Sequence, residues 1–452
     1  MSILASIKKG VQALLPVLRI GLLRKSFIYL SASILNALIP FLLLPLIARA
    51  LGPANYGVVG TYTALVTGAA LFIGLNTQGI LGPIYFKGDR EEFAEALRAC
   101  LVVLWITTPC VALAFFLGGR FVESFSGVSA GWQFTVVGAA AGNFALSVAL
   151  AVCQVRGMAM RFGLLQIAYS VVNIGLACGL ILGLHWGWQG RALSQLCASL
   201  GVGFGGMVAF GNEYGLLKRP SVKMIREALR FGIPLVPHIL ATILRNSFDR
   251  IFIAAAAGTI AAGKYFIAYQ IATVLTLVCS AVNQAWSPWL FQKLSTGKPE
   301  DRAEIKRVTY IVLAFFCLAT VLLMTIGPYL VSVLAGGRFG NAGDLIVILA
   351  PASGLNGAYY LFTNYIFYSQ RTEWLAIITV ATAAIQTALT VAFVRGFGAA
   401  GAAYASLFGG IIYFSATWIA AERLVPMGWF DRRVYAQPKD AQAGGETRER
   451  AE

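Results

Sequence analysis

Residues 27–48 read FIYLSASILNALIPFLLLPLIA, from Phe27 to Ala48, without one charged side chain. A helix needs about 20 predominantly apolar residues to cross the hydrocarbon core of a bilayer. This run is too long for the apolar part of a cleavable signal peptide and contains Pro40 and Pro45, so it reads as a first membrane span. Further apolar stretches follow near residues 58–81, 100–118, 133–153, 163–184, 191–211, 232–256, 265–289, 309–334, 345–368, 374–394 and 399–421. Hydrocarbon offers no partner to an open backbone group, and a helix satisfies its own. The expected fold is therefore an all-α polytopic membrane protein with about 12 transmembrane helices.

Composition agrees with this. Mean hydropathy is +0.75, and charged residues make up only 12% of the chain. The 48 glycines suit close packing of membrane helices, where small residues let backbones approach. The net charge of +16 does not point to nucleic acid, because the basic residues sit between apolar spans and not on a soluble face. Roughly 27 of the 35 Lys and Arg fall on one side if the N-terminus is cytoplasmic. They include Lys8, Lys9, Arg24, Lys25, Arg156, Arg161, the run from Lys218 to Arg230, the run from Lys293 to Arg307, and the tail after Arg432. The opposite connections carry about one each: Arg49, Arg120, Arg191, Lys264, Arg338 and Arg395. Both termini are thus expected in the cytoplasm, with an even number of spans. The seven cysteines lie in or beside apolar spans without a C-x-x-C, and His185 and His238 are far apart, so no metal site is expected.

The midpoint of the chain divides two similar halves. The first span exits through Leu51-Gly52-Pro53-Ala54-Asn55-Tyr56-Gly57, and the seventh through Ala257-Gly258-Thr259-Ile260-Ala261-Ala262-Gly263. The sixth opens with Gly187-Trp-Gln-Gly190 and the twelfth with Gly398-Ala-Ala-Gly401. Six helices per half give both halves the same orientation, which predicts a parallel repeat about an axis along the membrane normal and a substrate path between the halves. Gly52, Pro53 and Gly57 read as a structural turn, since glycine permits positive φ and proline sets φ. Prolines in the spans, including Pro40, Pro45, Pro234 and Pro237, predict kinks.

Charge inside a span is the clearest functional signal. The seventh holds Arg245-Asn246-Ser247-Phe248-Asp249-Arg250. Arg245 and Asp249 are four apart on one helix face, a spacing that allows an ion pair, while Arg245 or Arg250 facing a cavity would attract an anionic group such as phosphate. Bracing of the helix by the pair is the alternative. Arg49 at the end of the first span is a candidate for the cavity's outer rim. Asn246 and Gln284 are among many span amides, with Asn283, Asn356, Asn364 and Gln386, that either line a wet cavity or hold helices together. Tyr359, Tyr360, Tyr365, Trp286 and Trp289 are candidates for stacking on sugars or for interface belts. Enzyme readings find little support, because the opposite connections are short and nearly free of carboxylates, Glu123 being the main exception.

Arg49-Ala50-Leu51-Gly52-Pro53-Ala54-Asn55-Tyr56-Gly57 resembles the signature of bacterial polysaccharide flippases, the Wzx-type members of the multidrug/oligosaccharidyl-lipid/polysaccharide exporter superfamily. Further matches are Phe231-Gly-Ile-Pro-Leu235 followed by Asp249-Arg250 and Gly263-Lys264-Tyr265, and the Gly398 to Ala403 opening of the last span. The resemblance covers essentially the whole chain. It implies two six-helix lobes around a cationic cavity, and transfer of undecaprenyl-diphosphate-linked oligosaccharide repeat units to the outer leaflet of a bacterial inner membrane. It also implies alternating access driven by an ion gradient or the membrane potential, so proton or sodium coupling is open and no bound cofactor is expected. Asp249 is a coupling site or half of a structural pair. Expected partners are the lipid-linked oligosaccharide, membrane lipids, and the polysaccharide polymerase and assembly proteins, with the flippase itself a monomer. The alternatives are a cation-coupled multidrug or small-solute exporter of the same fold, and a non-transporting scaffold. A basic cavity would favour the flippase, an acidic one the exporter.

The domain reading is an amphipathic cytoplasmic segment 1–26, a first lobe 27–218, a basic linker 219–230, a second lobe 231–424, and a disordered cytoplasmic tail 425–452.

Overall fold

The computed structural model describes residues 21–429 apart from Gly88, Leu217, Gly297, Gly336 and Gln370. The expected amphipathic segment before residue 21 and the tail from residue 430 lie outside the described residues. In chain order the helices are α1 (Gly21–Phe72), α2 (Leu81–Lys87), α3 (Arg90–Ser126), α4 (Ala130–Val155), α5 (Ala159–Cys178), α6 (Trp188–Val208) and α7 (Gly211–Tyr214). They continue with α8 (Val222–Gly232), α9 (Val236–Ser247), α10 (Asp249–Thr296), α11 (Pro299–Ala335), α12 (Ala342–Tyr368) and α13 (Thr372–Leu424). Seven helices among the described residues are long and apolar enough to cross a membrane. The chain is a multi-pass helical membrane protein.

Three helices are too long to be single spans. α1, α10 and α13 have 52, 48 and 53 residues. Straight, they would reach about 70–80 Å at 1.5 Å per residue, well beyond the roughly 40–45 Å of a whole bilayer. Each is broken once, at Gly52 (φ 68°), Gly258 (φ 83°) and Gly398 (φ 56°). Left-handed backbone of this kind is open to glycine without the clash a Cβ would bring. The break at Gly398 is a reversal: a Cβ on Gly401 would overlap the Phe393 carbonyl, whereas residues 393 and 401 of one straight helix would stand about 12 Å apart.

The turns gather on one face. Gly398 lies beside Ala257, Gly127 beside Thr259, Gly187 beside Asn55, and Gly340 beside Lys264. The opposite face carries the basic connections, where Glu213 pairs with Arg156 at 2.8 Å and with Arg90 at 3.8 Å. The hairpin between α10 and α11 is stapled there by Lys293, whose amine bonds Asp301 and Glu304 at 2.7 Å each. That amine holds the Asp301 carboxyl below the ordinary carboxylate range.

The two halves meet through the repeated turn. Gly52 and Gly258 share one backbone conformation, with ψ 173° and 167°. A Cβ on Gly57 would overlap the Thr259 carbonyl, and a Cβ on Gly263 would overlap the Pro53 carbonyl. Each contact is the other's image under the repeat, as an interface about a two-fold axis requires. Pro53-x-x-x-Gly57 crosses Thr259-x-x-x-Gly263, a small-residue pattern that brings membrane helices into backbone contact. One turn further in, a Cβ on Gly60 would stand 3.0 Å from the Phe266 ring, and these two positions are also repeat partners.

Two segments gain definition in the structure. Residues 219–230 are largely helical: Ser221 caps α8 by accepting from the Met224 N–H at 3.1 Å, and its own N–H donates to Glu95 at 2.6 Å. The segment 425–429, expected in a disordered tail, is docked. Lys306 donates to the Gly428 carbonyl (2.7 Å), Tyr310 to the Trp429 carbonyl (2.5 Å), and Glu422 accepts from the N–H groups of Met427 (3.0 Å) and Gly428 (2.8 Å). Trp429 is 6% exposed among Phe362, Tyr365 and Tyr310. Its apolar ring outweighs the polar composition of the tail that follows it.

Two outcomes are expected from this packing. Gly57→Ala and Gly263→Ala should each destabilise the protein by about 1–3 kcal/mol, by similar amounts, and the double variant by less than their sum because both push the same crossing apart. Trp429→Ala should lower stability by about 3–5 kcal/mol, the range for a buried large aromatic. Thermal unfolding of the purified protein in detergent reads both.

Candidate functional site

The seventh stretch is two helices. α9 ends at Ser247 and α10 starts at Asp249, with Phe248 between them. The Arg245 carbonyl accepts a hydrogen bond from the Gln386 carboxamide of α13 at 3.0 Å. A broken membrane helix is tolerated where a neighbour satisfies the freed backbone in this way.

Arg245 is 8% exposed. Its guanidinium donates to the Asn356 side-chain oxygen of α12 and lies 3.6 Å from the ring centre of Tyr413, which stacks on Tyr359 at 4.1 Å. Cation–π contact of this kind strengthens where water is excluded. Around it lies a cavity of about 680 Å³. Thr242, Arg245 and Asn246 of α9 line one side. Tyr269, Thr273, Thr276 and Asn283 of α10, Asn356, Tyr360 and Thr363 of α12, and Thr379, Gln386, Ser406 and Tyr413 of α13 contribute most of the rest. Every lining residue comes from the second half, so the described cavity is not the expected path between the halves. At the repeated turns the halves are in backbone contact, so no path between them opens at that level. Arg245 is the one charged side chain in the lining, and hydroxyls, amides and tyrosine rings supply the remaining polarity.

The anticipated Arg245–Asp249 ion pair is not formed among the described residues. Asp249 is 4% exposed and accepts from the hydroxyls of Tyr265 (2.7 Å) and Ser406 (3.2 Å). Each side chain is captured by a different neighbour, although their spacing along the chain would suit a pair. Arg250, also buried, does not line the cavity. Its guanidinium carbon stands 4.5 Å from the Phe266 ring centre and 4.9 Å from that of Tyr269.

The other candidates scatter. Asn246 lines the cavity, but Gln284 is exposed and does not. Arg49 lies on the face of the turns and reaches across to the second half, donating to the carbonyls of Val333 and Leu334, the latter at 3.2 Å. Arg338 returns a bond to the Arg49 carbonyl at 3.2 Å. Gly52, Pro53 and Gly57 form the turn and crossing described above. Arg191, placed by its sequence in a connection, sits inside α6 and donates to Asn173 (2.5 Å) and Ser194 (3.2 Å). Tyr413, Ser406 and Thr242 were not singled out by sequence reading. The spacing of Asn356, Tyr359, Tyr360, Thr363 and Phe367 is a signal that did exist, since these residues fall on one helix face.

The family model described as polysaccharide biosynthesis protein matches residues 22–294, more than half of the chain. The chain belongs to the polysaccharide biosynthesis protein family. This family member is 23% identical over 377 residues to the Lsg locus putative protein 1 of Haemophilus influenzae, covering 82% of this chain and 90% of that one. It is 22% identical over 370 residues to an uncharacterized membrane protein of the same organism, covering 80% and 87%. Its fold is that of an inward-facing multidrug resistance MATE family transporter of the MOP superfamily, with TM-score 0.72, 15% identity, and coverage of 85% of this chain and 95% of that one. The lipid II flippase MurJ in an inward closed conformation superposes with TM-score 0.69 and 12% identity, covering 88% and 87%. These likenesses show that the chain shares the helical fold of both structures.

Because hydroxyls hold Asp249, removing Arg245 should not orphan a carboxylate. Arg245→Gln should therefore lower stability by less than about 2 kcal/mol, against the roughly 3–5 kcal/mol typical of breaking a buried ion pair. Thermal unfolding of the variant decides it, and a drop in the larger range would mean that the pair exists.

Proposed function

We propose that the protein is a flippase for undecaprenyl-diphosphate-linked oligosaccharide repeat units, moving them from the cytoplasmic to the outer leaflet for surface polysaccharide synthesis. The observation that carries this reading is the lining of the cavity: one arginine, no carboxylate, and a wall of hydroxyls, amides and tyrosine rings. An uncompensated cation within a membrane is costly and is relieved by an anionic ligand. A planar guanidinium offers phosphate oxygens paired donors. Tyrosine faces and neutral polar groups suit sugar rings and their hydroxyls. A cation-coupled drug exporter would call for carboxylates in that wall.

In this reading the protein spans the inner membrane twelve times, in two six-helix lobes of residues 27–218 and 231–424 with both termini cytoplasmic. α8 joins the lobes on the cytoplasmic side. Arg245 and Asn246 hold the anionic head, and Arg250 adds positive potential from outside the cavity wall. Arg49 belongs to the closure of the outer face, and Gln284 drops out of the site. Alternating access is driven by an ion gradient or the membrane potential, and the protein does no covalent chemistry. Membrane lipids receive the lipid tail, and the polymerase and assembly proteins act on the product.

A deletion strain tests this directly by extraction of its lipid-linked intermediates and assignment of their leaflet. Repeat units trapped on the cytoplasmic face, with surface glycan lost, are expected. Normal intermediates and normal glycan would overturn the reading and turn attention to efflux assays. In the complemented strain at matched membrane abundance, Arg245→Ala should reduce surface glycan about tenfold or more, the scale of one charge-assisted hydrogen bond. Arg245→Lys should retain part of it, keeping the charge without the fork. Full activity of both would remove Arg245 from the site.

A further inference from the structure

Gln386 is 3% exposed and stands where α9 stops. Its carboxamide N–H occupies the Arg245 carbonyl at 3.0 Å, one of the backbone acceptors that an unbroken helix would offer to residue 249. The space it fills is kept open by Gly409 of the same helix hairpin, where a Cβ would overlap the Gln386 carboxamide. From the other side, Phe248 rests against Gly68 of α1, 3.2 Å from where a Cβ would stand. Arg245 and Asp249 are in consequence held by separate groups, Asn356 and Tyr413 on one side and Tyr265 and Ser406 on the other.

In a continuous helix these two residues would be neighbours at i and i+4, and in a low dielectric their attraction would be strong. Pairing would neutralise the one charge in the cavity wall. We propose that Gln386 is a positioning residue: by capping the Arg245 carbonyl it keeps the helix open at Phe248, and so keeps the Arg245 guanidinium in the cavity and away from Asp249. This inference rests on the reading of Arg245 as the contact for an anionic headgroup. Gln386 also lines the cavity, and the role inferred here is the one it exerts through the backbone.

The test is Gln386→Met, which keeps the volume and removes the donor, and Gly409→Ala, which displaces the carboxamide from a second position. An electron cryomicroscopy structure of either variant should show α9 and α10 joined and Arg245 paired with Asp249. In the complemented deletion strain, at matched membrane abundance, each should lower surface glycan roughly tenfold, the scale of one charge-assisted contact. Adding Asp249→Asn to either should restore most of it, because the competing carboxylate is gone. A merely structural role for Gln386 would not be relieved in this way. The inference is overturned if Arg245 keeps Asn356 and Tyr413 in both variants, or if Asp249→Asn relieves neither. The structural arm stands apart from transport: normal lipid-linked sugars in the deletion strain would sink the flippase reading, while the Arg245–Asp249 geometry would still decide the role of Gln386.

Discussion

The contact between the two repeated turns is the constraint from which the rest of the architecture follows. Membrane helices gain nothing from hiding apolar surface from lipid, so they associate through packing and backbone proximity. Gly57 and Gly263 lack the one atom that would keep the chains apart, and each lies against a carbonyl of the other half. The same device recurs within the first half, where Gly142 of α4 and Gly203 of α6 lie backbone to backbone. In the second half Gly357 of α12 receives Cys279 of α10. Glycine content that looks permissive in a composition table is, in the fold, a set of particular close approaches.

The central crossing also determines where polar space is left. With the halves in contact at the turns, a polar cavity opens among α9, α10, α12 and α13. A cation there is stabilised by an amide oxygen and a tyrosine face, and not by a carboxylate. No carboxylate neutralises it in the cavity wall. On the face of the turns, Arg49 and Arg338 spend their donors on backbone carbonyls across the two halves. Arginines of equal charge are thus placed differently, one in the wall of a cavity and the others bonded across the two halves.

Much of this could be read in advance. The apolar runs specify helices because lipid leaves no alternative for the backbone. The repeat at Gly52 and Gly258 appears as two left-handed turns with nearly identical dihedrals. Arg245 and Asn246, picked out as polar intruders in an apolar run, do line the cavity. The errors share one origin. Spacing on an ideal helix suggested an Arg245–Asp249 pair, but Asn356 and Tyr413 hold the one side chain and Tyr265 and Ser406 the other. Pro234 and Pro237 do stand at the interruption between α8 and α9, while the breaks inside the three longest helices come at glycines. The polarity of the C-terminal region hid Trp429, whose ring finds its place only against Phe362 and Tyr365.

What the sequence determined by itself is whatever depends on neighbours along the chain: helix type, span length, the glycine turns, the distribution of charge between the two faces, and the presence of a charged cluster in the seventh stretch. What only the tertiary structure decided is whatever depends on partners from other helices. The location of the cavity in one half, the separation of Arg245 from Asp249, and the withdrawal of Arg250 to the rings of Phe266 and Tyr269 are of this kind. The physical reason is that a buried polar group must find a donor, an acceptor or a ring within a few ångströms. In a bundle of long helices those partners are supplied by residues more than a hundred positions away, as Asn356 is for Arg245.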